Sequence, residues 1–95
     1  MKRLTEKAPN GKGYVAAAGS VEACAGGWQG QAVDRLAAFE ALHAQLERRV
    51  QEIPEALATL RAQGKEKTVR FRELTGEKMM AQAWLEMAAD YGIKE

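Results

Sequence analysis

Leu36, Phe39, His43, Leu46, Val50, Ile53, Leu57 and Leu60 are spaced three, four, three, four, three, four and three residues apart. That unbroken heptad run specifies a long helix with one apolar seam. The helix is expected over residues 31–63, where Arg61-Ala62-Gln63-Gly64 supplies a last turn and a glycine cap. Pro54 lies inside it. A proline in a helix interior removes one donor and clashes with the preceding turn, at about 3 kcal/mol. The apolar pattern nevertheless keeps its phase across Pro54, which a loop of arbitrary length would lose. The expectation is a helix kinked or broken at Pro54, with its halves nearly collinear. Uninterrupted, it would be roughly 50 Å long at 1.5 Å per residue. A compact domain of this size is roughly 30 Å across. Either Pro54 bends the helix back or other subunits cover the overhang.

A second helix is expected over 72–91. Met80, Trp84, Met87 and Tyr91 fall at steps of four, three and four, and Phe71, Leu74, Ala81, Leu85 and Ala88 mark another stripe at helical spacing. Lys78, Gln82, Glu86 and Asp90 share one narrow polar strip. So little polar surface predicts burial on most of the circumference, at the centre of the fold or of an oligomer. Gly76 near the start costs up to about 1 kcal/mol against alanine. Gly92 followed by Ile93 is a Schellman-type stop. Before this helix, Val69 and Phe71 alternate with Arg70 and Arg72, which suits a short extended piece over Thr68–Phe71.

Residues 1–30 are irregular or short-stranded. Asn10-Gly11 is a turn signal because both residues tolerate positive φ. Tyr14–Ala17 suits a short strand, Gly19-Ser20 a second turn, and Val21–Ala25 a second extended piece, together hairpin-like. Trp28, flanked by glycines, is expected to cap a helix by folding back on it, with ligand stacking as its other role. The fold class is thus mainly α: two long helices, a short N-terminal extended or hairpin-like segment, and a bundle completed by oligomerisation. Ninety-five residues suit a single domain near the size at which oligomerisation helps.

Lys and Arg number 14 and Asp and Glu 13, so net charge alone attracts no nucleic acid. Cys24 is the only cysteine, which forbids an intramolecular disulfide and suits a reducing compartment. Set among small residues, it is expected as an inert filler. The charged N-terminus has no long apolar run behind it, so neither a signal peptide nor a membrane span is expected.

No glycine pattern matches a phosphate loop: Gly26-Gly27 and Gly30 lack the required lysine and hydroxyl. One histidine and one cysteine cannot assemble a converging metal site, and no serine has suitably spaced His and Asp partners. No cofactor is implied. Glu73 and Glu77 stand one turn apart, as many solvated carboxylates do. His43 occupies a seam position, where a polar residue sets register or oligomer state; a pH-sensitive contact is its second reading. Expected interface residues are His43, Leu46, Val50, Met80, Trp84, Met87 and Tyr91. The remaining site candidate is electrostatic. Lys65, Lys67, Arg70, Arg72 and Lys78 cluster around Phe71, with Trp28 as a stacking candidate. In an extended segment Arg70 and Arg72 would point to one side and clamp phosphates. The plainer reading is a solvated face diluted by Glu66, Glu73 and Glu77.

Two segments, GQAVDRLAAFEAL (Gly30–Leu42) and LRAQGKEKTVRFRELTGEKMM (Leu60–Met80), resemble small uncharacterised proteins of phages and prophages from gut Firmicutes. The MKRLTEK start and the closing Asp90-Tyr91-Gly92 fit the same pattern, which covers most of the chain outside residues 8–29. The resemblance implies a phage accessory protein acting in the bacterial host cytoplasm. By analogy with short non-enzymatic phage proteins, it would counter host defence by binding a defence protein or sequestering a phosphate-bearing nucleotide signal. The alternative is a small nucleic-acid-binding regulatory protein.

Overall fold

α1 runs without interruption over Gln31–Ala62 in the computed structural model, which describes residues 1–94. Asp34 in its first turn and Arg61 in its last complement the helix dipole. It ends as expected. Gly64, at φ 72°, lets its own N–H donate to the Arg61 carbonyl at 2.9 Å and the Lys65 N–H donate to Leu60 at 2.8 Å, a Schellman cap. Pro54 sits within the helix and does not break it, so of the two expected outcomes, a kink or a break, the break is excluded, as is a fold-back at Pro54. The Val50 carbonyl forgoes its usual donor there. Ile53 is fully buried and Leu57 nearly so, and this apolar burial on either side of the proline holds the helix in phase.

The chain divides into two compact units, Met1–Ala41 and Leu42–Glu95, with the boundary inside α1. In the second, α2 (Val69–Asp90) returns along α1. Ile53, Leu57 and Leu74 form the core, with Ala56, Leu60 and Phe71 packed on it. Further along, Arg49 of α1 reaches Glu77 of α2.

The junction before α2 corrects an expectation. Thr68–Phe71 is not an extended piece, and the helix starts at Val69 instead of residue 72. The local cause is Thr68. Its backbone is extended (φ −82°, ψ 159°) and its hydroxyl accepts from the Phe71 N–H at 3.3 Å, satisfying one orphan donor of the first turn. The alternation Val69-Arg70-Phe71-Arg72 fits a strand equally well on paper, but the capping threonine decides for helix. The other end matches expectation: Gly92 is at φ 87°, with Gly92 N–H to Ala89 and Ile93 N–H to Ala88, both 2.9 Å.

In the Met1–Ala41 unit, two antiparallel hairpins precede α1. β1 (Thr5–Lys7) pairs with β2 (Tyr14–Ala16), Thr5 opposite Ala16. β3 (Glu22–Cys24) pairs with β4 (Gly27–Gln29), Glu22 opposite Gln29. The two expected extended pieces are present as β2 and β3, but they pair with neighbours that the sequence pattern had not marked, not with each other. Turn chemistry explains the pairing. Gly11 sits at φ 75°, its N–H donates to Ala8, and the Asn10 side chain accepts from the Lys12 N–H at 2.9 Å. Ala25-Gly26 closes the second hairpin. Gly19-Ser20 is a turn as expected, but a linking one. Ser20 is buried; its hydroxyl donates to Ala17 and its carbonyl accepts from the Ala32 N–H, tying the hairpins to the start of α1. Trp28 lies exposed on β4 and does not fold back as a cap. Cys24 is likewise exposed, so it fills no core.

Candidate functional site

α2 presents two apolar faces, and only one is covered within the Leu42–Glu95 unit. Leu74, Ala81 and Ala88 are buried. Residues at i, i+3, i+4 and i+7 share a helix face, so these three define the side turned towards the core of their unit. Met80, Trp84, Met87 and Tyr91 define another. Met80 is 60% exposed, Met87 58% and Tyr91 88%, and Trp84 is half-buried. Of the expected burial over most of the circumference, the chain itself supplies one stripe. Gly76 and Ala83 fall on the exposed side, four before Met80 and three after it. A Cβ added at Gly76 would meet nothing, so no neighbour in its unit demands glycine there.

The other expected interface residues belong to the covered seam of α1. His43, Leu46 and Val50 are half-buried. The His43 Nδ1 faces the Glu47 Oε1 at 3.1 Å across one helical turn, so the polar seam residue is satisfied within its own helix.

The basic cluster is assembled in part. Lys65 and Lys67 occupy the turn between the helices, and Arg70 and Arg72 lie in the first turns of α2, all exposed. No acid stands in that first turn. Helical geometry separates Arg70 from Arg72 by about 200° around the axis, so the expected same-side clamp does not form. Arg70 faces Glu73 at 3.9 Å. Lys78 lies further along α2 and is half-buried, and Trp28 belongs to the other unit. A cation outside the expected set joins this end: the Arg61 guanidinium lies 5.2 Å from the centre of the Phe71 ring, a cation–π distance.

Sequence reasoning also missed the ion pair that links the two helices. Arg49 Nε and Nη2 donate to the two carboxylate oxygens of Glu77 at 3.0 and 2.6 Å, a bidentate fork, and Nη1 donates to Glu52 at 3.2 Å. Hydrogen bonding from Arg49 holds the Glu77 carboxyl below its ordinary range, and the bond to Glu77, then that to Glu52, raises the Arg49 guanidinium. The available signal was position. Arg49 flanks the seam residue Val50, and Glu77 lies three residues beyond the buried Leu74. Each is therefore at the edge of a packed stripe, where charged groups meet across helices.

Among the described residues, no helix is long and apolar enough to cross a membrane, and no group of His, Cys, Asp and Glu is gathered to hold a metal ion. Compared with known proteins, the chain matches no family model, no curated protein and no solved structure.

Proposed function

We propose that this chain is a non-enzymatic binding protein that works through the outer face of α2. One observation carries this reading: Met80, Met87 and Tyr91 line one side of a helix and stand largely in water, with the half-buried Trp84 between them. Burying a side chain of this size is worth about 1.5–3 kcal/mol, and contiguous apolar strips of this kind mark contact surfaces. The steps of four, three and four match a helix–helix seam. Gly76 on the same side favours a partner backbone that approaches closely. The simplest occupant of such a seam is the same seam on a second copy, giving a homo-oligomer. The resemblance to phage and prophage proteins supports the biological setting, an accessory protein in the host cytoplasm that counters defence by holding a host defence protein. Phage plating on defended hosts, with and without the gene, tests this. Rescue of plating by wild type and its loss in the Met80→Lys/Met87→Lys variant is the expected result. Unchanged plating across a broad panel of defence systems would remove the idea.

A second reading rests on Lys65, Lys67, Arg70 and Arg72, which make the turn end of the helical hairpin locally basic. It is binding of nucleic acid, or of a phosphate-bearing nucleotide. Affinity through such a patch falls steeply with salt. Arg70→Ala with Arg72→Ala should weaken it while leaving helix content intact. No shift of DNA or RNA at low salt, and no retained nucleotide by mass spectrometry, would discard this reading.

A further inference from the structure

Apart from the α2 face, the Met1–Ala41 unit contains a recess of about 430 Å³ between β1 and the first turns of α1. Its volume falls within the range of small-molecule pockets, about 300–1,000 Å³. Leu4, Ala32, Leu36 and Phe39 form the apolar wall, Arg3 and Arg35 stand beside it, and among the described residues no carboxylate lines it. Leu36 and Phe39 remain 58% and 42% exposed, so the wall is not closed by the unit itself.

The two arginines are held in place without being neutralised. Arg35 donates from Nη1 to the Lys2 carbonyl. Arg3 donates from Nε to the Thr5 hydroxyl at 3.1 Å, and its guanidinium lies 5.4 Å from the centre of the Tyr14 ring. Each bond uses one of the five N–H donors of a guanidinium. Arg49 and Arg70 face carboxylates; among the described residues, Arg3 and Arg35, like Arg48, Arg61 and Arg72, face none. A pre-positioned guanidinium with spare donors matches the two oxygens of a carboxylate or phosphate.

We propose that this recess binds a single-chain amphiphile with an anionic head. The apolar body lies against Leu4, Ala32, Leu36 and Phe39, and the head accepts hydrogen bonds from Arg3 and Arg35. An apolar wall gives such a ligand its affinity, and the two cations give it orientation and select its charge.

Titration calorimetry with ten-carbon probes below their micelle concentrations tests this on the full chain. Decanoate and decyl phosphate distinguish the two head groups; decanol and decyltrimethylammonium are the neutral and cationic controls. Saturable binding of one anionic probe per chain is expected, with the controls about tenfold or more weaker. Arg3→Gln should weaken the anionic probes about tenfold and leave decanol unchanged. Ala32→Leu, which enlarges a side chain of the apolar wall, should weaken every probe. Circular dichroism would check that both variants keep their helices. Equal affinity for decanol and decanoate, unsaturable uptake, or an Ala32→Leu variant that binds like wild type would overturn the proposal.

Discussion

The two units hold themselves together by different means. In Leu42–Glu95, side chains do the work: Ile53, Leu57 and Leu74 close an apolar core, and Arg49 bridges to Glu77. In Met1–Ala41, the backbone does it. Three-residue strands pair, glycines turn them, and Ser20 ties the hairpins to α1, while Leu4 alone among the large apolar side chains is buried. A unit built on side-chain burial should respond to lost volume, and a unit built on backbone geometry to an added Cβ.

The largest effect is expected at Ile53, which has no exposed surface. Ile53→Ala removes core volume beside Pro54, where burial holds the helix in phase. The expected loss is about 2–5 kcal/mol, read as a lower thermal midpoint. A loss well under 1 kcal/mol would mean that the core does not sustain this unit.

The contrast sharpens at Gly30, which sits at φ +136°. An added Cβ there would overlap the Ser20 carbonyl oxygen and stand 3.0 Å from the Val21 Cα. Gly30→Ala should cost on the order of 1–3 kcal/mol. Its mark should be faster hydrogen exchange at the Ala32 amide, which donates to Ser20, with little change in exchange around Leu57 and Leu74. An equal rise in both places would show that the two units open together and break the comparison.

These same differences set what was legible in the sequence. The heptad seam located α1 because its apolar steps keep helical phase, though Leu36 and Phe39 at its start stay exposed while Ile53 and Leu57 are buried. Both glycine caps were legible because a positive φ is a local requirement. The pairing of the hairpins was not legible. Hairpin strands of exposed residues such as Thr5, Glu6 and Glu22 carry no buried face to register them. Residues 69–72 misled because Val69, Arg70, Phe71 and Arg72 alternate as a strand would, while one threonine hydroxyl decided the outcome. Of the candidate site, the outer stripe of α2 was legible as a pattern, but its exposure was not. Periodicity says that a stripe must meet something, without saying whether the partner lies in the same chain.

The smallest effect concerns the bridge within the second unit. Arg49 holds the Glu77 carboxyl below its ordinary value of 4.5. The bond therefore stabilises fully above that range and is lost as pH falls through the lowered pKa. Arg49, held above its own ordinary value by the same bond, stays charged throughout this window. Both side chains are partly exposed, at 26% and 37%, so salt screens the pair and the effect is modest. Melts from neutral pH into acid should show a shallower acid decline for Glu77→Gln than for wild type. Parallel curves would remove this bridge from the account.

The outer face of α2 is the centre of the functional reading, and the mass of the protein in solution tests it most directly. Multi-angle light scattering at micromolar concentration should give wild type at least twice the mass of one chain. Met80→Lys/Met87→Lys, at positions already exposed in the protomer, should give the mass of one chain with helix content unchanged. A wild-type mass of one chain across the micromolar range, or an assembly that the double lysine variant leaves intact, would contradict the assignment of this face as a contact surface between copies.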